Sequence, residues 1–165
     1  MPTKKVLETL KNTYCRIMPS SIEGVGIFSI REIPKGTNPF FNAPKQKWLN
    51  INVEEFDAFD PEIKKMISDF FAPNEDGTFS IPECGLNGID MSFFLNCSES
   101  PNVKTIDGGT NFETLRKIEK NEELTVAYSD YDERWNKNKF KNNIENKLLC
   151  PTEQTVRAMQ TAKRP

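Results

Sequence analysis

Glycine and proline punctuate this chain, and the runs they separate change character along its length. Tyr14 to Ile33 reads as extended structure folded around Gly24-Val25-Gly26, because Val25, Ile27, Phe28 and Ile30 carry β-branched or aromatic side chains. Pro34-Lys35-Gly36 closes that stretch as a turn. From Asn52 the pattern becomes helical. Asp60 suits an N-cap and Pro61 the first helical position, while Ile63, Met66, Ile67, Phe70 and Phe71 recur at i, i+3, i+4, i+7 and i+8. That face must be buried, and it needs no role beyond packing a core. Pro73 to Gly77 is a loop, and Gly85 and Gly88 break the stretch from Pro82 to Ile89.

The second half is β-rich. Val103 to Asp107 and Phe112 to Lys117 flank Gly108-Gly109 as a hairpin, and Leu124, Val126 and Tyr128 alternate with Thr125 and Ala127 along a third strand. Trp135, Phe140, Ile144, Leu148 and Leu149, at loose helical intervals, predict a C-terminal helix docked by one face. The tail from Pro151 is expected to be mobile.

At 165 residues the chain has the size of one domain, and 36% hydrophobic with 28% charged residues is ordinary for a globular protein. A net charge of -2 excludes strong sequence-independent attraction to phosphate backbones, so no direct nucleic-acid binding is expected. A basic peptide suits such a surface better. Glu119, Glu122, Glu123, Asp130, Asp132 and Glu133 crowd together in sequence, which predicts a solvated acidic face. Met1 to Leu10 is interrupted by Lys4, Lys5 and Glu8, so neither a signal peptide nor a membrane span is expected, and the protein is read as intracellular, nuclear or cytoplasmic, and not secreted.

There is no histidine, which removes Ser-His-Asp triads, Cys-His proteases and His-based metal hydrolases together. Cys15, Cys84, Cys97 and Cys150 stand far apart without a CxxC pair, so no zinc or other metal is expected, and a reducing compartment would leave all four as thiols.

Three stretches, in order, carry a resemblance. Gly24-Val25-Gly26-Ile27-Phe28, followed by Arg31-Glu32-Ile33-Pro34-Lys35-Gly36, is similar to the GxG-x-F/Y segment of the SET-domain lysine methyltransferases and its D/E-I-x-x-G continuation. Phe93-Phe94-Leu95-Asn96-Cys97-Ser98-Glu99-Ser100-Pro101-Asn102 resembles that family's F-x-N-H-S-x-x-P-N motif, with Cys97 where histidine is usual. Leu115 to Tyr128 resembles its I-x-x-G-E-E-L-x-x-x-Y ending; Asn121 replaces glycine, and Asn also enters left-handed backbone conformations.

The resemblance implies a mainly β, β-rich α+β fold of small curved sheets, few helices and a C-terminal pseudoknot that brings the second and third motifs together. It implies a single SET domain over residues 1–150, with a variable helical insert at about 41–80 and a C-terminal helix at about 131–149, before a tail at 151–165. The implied activity is methylation of a protein lysine in a histone or another basic segment. S-adenosylmethionine is the donor, leaving S-adenosylhomocysteine, and donor and lysine enter a narrow channel from opposite sides.

By motif position Tyr128 would be the catalytic tyrosine. Gly24, Val25 and Gly26 would let the backbone approach the methionine end of the cofactor, with Asn96 hydrogen-bonding that end and Cys97 meeting the adenine through its backbone. Trp135 would either cover the adenine or anchor the last helix, and Tyr131 and Phe94 would line the lysine channel. Such a reaction aligns a neutral amine with the methyl group and excludes water, so it needs no imidazole. The competing reading is a catalytically inactive SET-like module that recognises a peptide, with Cys97 marking the loss of catalysis.

Overall fold

The computed structural model describes residues 2–41 and 45–135. Its elements in chain order are α1 (Pro2–Lys11), β1 (Cys15–Pro19), β2 (Val25–Ser29), β3 (Trp48–Asn52), α2 (Pro61–Phe70), β4 (Thr78–Pro82), β5 (Asn96–Cys97), β6 (Val103–Ile106), β7 (Asn111–Thr114) and β8 (Glu123–Val126), joined by 3-10 turns. Three small sheets result: β1-β2-β8-β5, and the pairs β3-β4 and β6-β7. The fold is thus β-rich with two α-helices among the described residues, as the resemblance implied. The expected C-terminal helix and tail lie outside the described residues, apart from a 3-10 turn at Glu133–Trp135.

β1 and β2 pair antiparallel from Cys15↔Ser29 to Pro19↔Val25, and Gly24 reverses the chain between them at φ +47, a conformation that side chains resist. β8, like β2, is an inner strand. It pairs antiparallel with β2 through Ile27↔Leu124 and parallel with β5 through Asn96↔Thr125 and Cys97↔Val126. The second and third motifs, 27 residues apart between Asn96 and Glu123, therefore lie side by side. Asn121 adopts φ +67 ahead of β8, the left-handed turn its type allows. Asp107, Gly108 and Gly109 are all at positive φ, closing the β6-β7 hairpin where the sequence places it.

One core cluster joins Cys15, Ile27, Ile33, Leu95, Val103, Ile118, Leu124 and Val126. Ile33 and Ile118 form a backbone bridge (3.0 and 2.9 Å) and both side chains are sealed, so apolar residues of the first and third motifs meet in the centre. Each such side chain contributes roughly 1.5–3 kcal/mol by leaving water. Burial also pushes the Cys15 thiol up to about 12, marking it as a packing residue and not a nucleophile.

A second cluster, Phe56, Ile67, Phe71 and Ile81, lies where α2 packs on β3-β4. Asp60 caps α2 by accepting from Glu62 N (2.8 Å), with Pro61 first in the helix, as read from the sequence. The expected burial of the whole apolar face is corrected, because Ile67 and Phe71 are buried while Ile63 and Met66 stay 40% and 41% exposed. The sheet beneath has two strands, and the first turns of the helix project past the cluster.

Three further differences stand out. The stretch read as a helical insert also holds β3 and β4, whose pairing spans residues distant in sequence. The polar start forms α1, with Val6, Leu7 and Leu10 exposed. Tyr128 lies past the strand it was assigned to: β8 stops at Val126, level with the end of β5, and Tyr128–Asp130 turn as 3-10 helix.

Ile27→Ala should lower the unfolding free energy by about 2–5 kcal/mol, because its site is sealed. Ile63→Ala should cost under about 1 kcal/mol. Urea denaturation of both variants checks this, and equal losses would contradict the described core.

Candidate functional site

Burying the polar backbone of β8 requires partners on both sides, and Asn102 supplies what the short β5 does not. Buried itself, it accepts from Thr125 N (2.8 Å) and donates to Glu123 O (2.8 Å) and to the Glu122 carboxylate (3.0 Å). The final Asn of the second motif is thus a clamp on the third. Ser29, also buried, pins the turn before β8: its hydroxyl donates to Glu119 O and accepts from Glu122 N.

Beside β8 the first and second motifs meet. Asn96 Nδ2 donates toward Glu123 Oε1 (2.8 Å), Val25 O (3.1 Å) and Glu23 O (3.3 Å). The Ser20 hydroxyl donates to the same carboxylate (2.8 and 3.0 Å). Gly26 lies directly beneath. A Cβ there would sit 2.1 Å from Glu123 Oε1 and 2.9 Å from Asn96 Nδ2, so the missing side chain is what lets these two groups lie against the β2 backbone. At Gly24 the requirement is instead the positive φ.

The Tyr128 hydroxyl donates to Leu95 O (2.8 Å), so the residue preceding Asn96 holds the phenol. The ring is half-buried, with Trp135 and Tyr131 edge-on at centroid distances of 4.9 and 5.8 Å. Burial, with smaller contributions from the charges of Glu23 and Asp132, pushes the Tyr128 pKa up to about 12. Phe94 packs edge-on against Phe70 of α2 at 5.7 Å and borders the same core as Tyr128.

Asp132 is buried and held by Arg134 through Nε (3.0 Å) and Nη2 (2.8 Å); the same guanidinium donates to Ser68 O and Phe71 O, both at 3.2 Å. The turn carrying Tyr131 and Trp135 is thereby tied to the end of α2.

The acidic residues do not form one solvated face, which corrects that expectation. Glu119 pairs with Lys117, Glu122 with Arg116 and Asp132 with Arg134, whereas Glu123 faces Ser20 and Asn96. Cys97 is buried and disulfide-bonded, so the expectation of four thiols fails there, while Cys15 and Cys84 are free. Of the residues singled out in the sequence, Val25, Gly26 and Asn96 converge on the cradle beside Glu123, Gly24 makes the turn ahead of them, and Tyr128, Tyr131 and Trp135 form the neighbouring aromatic group. The sequence assigns no part in the site to Ser20, the Leu95 carbonyl, Glu123 or the Asp132–Arg134 pair; the signals available were the places of Leu95 and Glu123 within the second and third motifs and of Asp132 in the acidic cluster.

The SET domain family model matches residues 24–129, well over half of the chain, and the chain belongs to that family. Members of the family are protein lysine methyltransferases that generally use S-adenosylmethionine. No curated protein matches the chain in sequence. Among solved structures, the chain is similar to a candidate histone methyltransferase of Plasmodium falciparum, at 20% identity and TM-score 0.45, over 70% of this chain and 93% of that one. It is also similar to a humanized mutant of Polycomb Repressive Complex 2 of Chaetomium thermophilum bound to an inhibitor, at 17% identity and TM-score 0.48, over 72% of this chain and 15% of that one. Among the described residues no helix is long and apolar enough to cross a membrane, and no group of three His, Cys, Asp or Glu is placed to hold a metal ion.

Asn102→Ala should cost about 2–4 kcal/mol, since it leaves the buried Thr125 N–H without an acceptor and Glu123 O without a donor. Thermal unfolding measures the loss. A cost below about 1 kcal/mol would show that the clamp is dispensable.

Proposed function

We propose that this chain transfers a methyl group from S-adenosylmethionine to a lysine in a basic protein segment, a histone tail among the candidates. One observation carries the reading: consecutive residues serve both halves of the site. Leu95 O holds the Tyr128 hydroxyl, and the Asn96 side chain lies over Gly26. The distance between phenol and cradle is therefore set by a single peptide unit.

The donor would supply an electrophilic methyl on a sulfonium. Gly26, Asn96 and the backbone at Val25 would hold its methionine end, and the buried edge at Cys97 would meet the adenine through main-chain groups. Tyr128 works as a neutral, fixed hydroxyl. Its pKa near 12 keeps the proton on at any working pH, and the bond to Leu95 O orients the oxygen without reorganisation during the reaction. Trp135 and Tyr131 flank its ring, and Phe94 extends the apolar wall toward α2. The lysine amine, with an ordinary pKa of about 10.4, must be neutral to react, and an apolar, water-poor channel favours that form.

Tyr128→Phe keeps the ring contacts and removes only the hydroxyl. Transfer of labelled methyl to core histones and to a cell lysate should fall about 100-fold, with S-adenosylhomocysteine binding retained. Undiminished transfer would remove Tyr128 from the mechanism. A native chain that binds the cofactor and labels nothing would favour the peptide-binding module instead.

The rate should rise with pH as the amine loses its proton. The raised pKa of Tyr128 means the phenol deprotonates later in the folded chain than at its ordinary value near 10, so it adds no falling limb below roughly pH 11. A pH–rate profile that turns down near pH 9, in a protein still folded there, would contradict this assignment.

A further inference from the structure

Glu123 is a carboxylate of this site that no described cation pairs with. We infer that it receives the α-ammonium group of the methyl donor, an inference that rests on the methyltransferase reading and adds to it an ionic contact outside the residues singled out for the cofactor.

Three observations converge. The neighbouring carboxylates of the third motif have cations, Glu119 with Lys117 and Glu122 with Arg116, and beyond it Asp132 has Arg134. Among the described residues Glu123 instead accepts only from neutral groups, the Ser20 hydroxyl and the Asn96 amide. Ser20 is itself oriented for this, because its oxygen accepts from Ile22 N (2.9 Å) and its hydrogen is left to point at Glu123.

Hydrogen-bond arithmetic at Asn96 runs the same way. Its amide nitrogen has two hydrogens and faces three oxygens, Glu123 Oε1, Val25 O and Glu23 O. Among the described residues the site is therefore rich in acceptors and short of donors. A primary ammonium brings three N–H donors and one positive charge, which answers both deficits at once.

Space is the third. The carboxylate lies where a Cβ on residue 26 would be, 2.1 Å from its Oε1, so it rests against bare β2 backbone beside the Val25 carbonyl. Glu123 is half-buried, which leaves it reachable while strengthening its field relative to open water. The strand order holds it there, since Glu123 pairs with Phe28 on one side and Asn96 with Thr125 on the other.

The test uses two ligands and two chains in isothermal titration calorimetry. S-adenosylhomocysteine carries the α-ammonium, and its deaminated analogue lacks only that group. Glu123→Gln keeps the size of the side chain and an oxygen to accept from Ser20 and Asn96, so the cradle should stay folded, which thermal unfolding verifies. Expected is a loss of about 10- to 100-fold in S-adenosylhomocysteine affinity in E123Q, with the deaminated analogue bound equally by both chains. Equal weakening of the two ligands would assign Glu123 a structural part only and overturn the inference, as would unchanged affinity for both. If the native chain binds neither ligand, the methyltransferase reading itself falls and takes this inference with it, an outcome distinct from the previous two.

Discussion

β8 has neighbours on both sides, and the rest of the molecule is arranged around meeting that condition. β2 takes one side, the two residues of β5 take part of the other, and the Asn102 side chain stands in for the strand that β5 is too short to be. A buried backbone group without a partner costs about 1–3 kcal/mol, so this arrangement is close to obligatory once Leu124, Thr125 and Val126 are all buried. A parallel pair of this length cannot arise from a tight turn. It needs a crossover, and the crossover here carries the β6-β7 hairpin.

From that pairing the site follows. Bringing β5 beside β8 sets Asn96 against Glu123 and, one residue earlier, puts the Leu95 carbonyl under the Tyr128 hydroxyl. The cofactor end and the phenol end are therefore two faces of one short segment. The insert is coupled to them from outside: Arg134 spans the end of α2 and the turn bearing Tyr131 and Trp135, so the packing of the second core cluster bears on the aromatic group around Tyr128. Electrostatically, among the described residues, the third-motif carboxylates Glu119 and Glu122 are paired with Lys117 and Arg116, while Glu123 at the cradle meets neutral donors.

Residues whose demand is local were legible before any fold was known. Gly24 and Asn121 serve left-handed backbone, Asp60 and Pro61 begin a helix, and Gly108-Gly109 closes a hairpin, each within a few residues of itself. Ile33 and Ile118 read as apolar parts of motifs, and they are the pair that meets in the core. β3 escaped notice because Trp48, Leu49 and Asn50 are exposed and only pairing with β4 makes them a strand. The extent of the buried face of α2 was likewise out of reach, since it depends on how wide a sheet lies beneath it.

The amino-acid order by itself determined the family, the β-rich character of the second half, the turns and the absence of imidazole chemistry, because these follow from residue type and short-range spacing. Only the tertiary structure decided that Tyr128 leaves its strand for a 3-10 turn, that the acidic residues part company into separate pairs, and that Glu123 turns over Gly26 toward Asn96 and Ser20. The reason is physical. A side chain's charge and hydrogen bonds are satisfied by whatever lies within about 3 Å, and here those neighbours are brought in by strand pairing from up to 103 residues away.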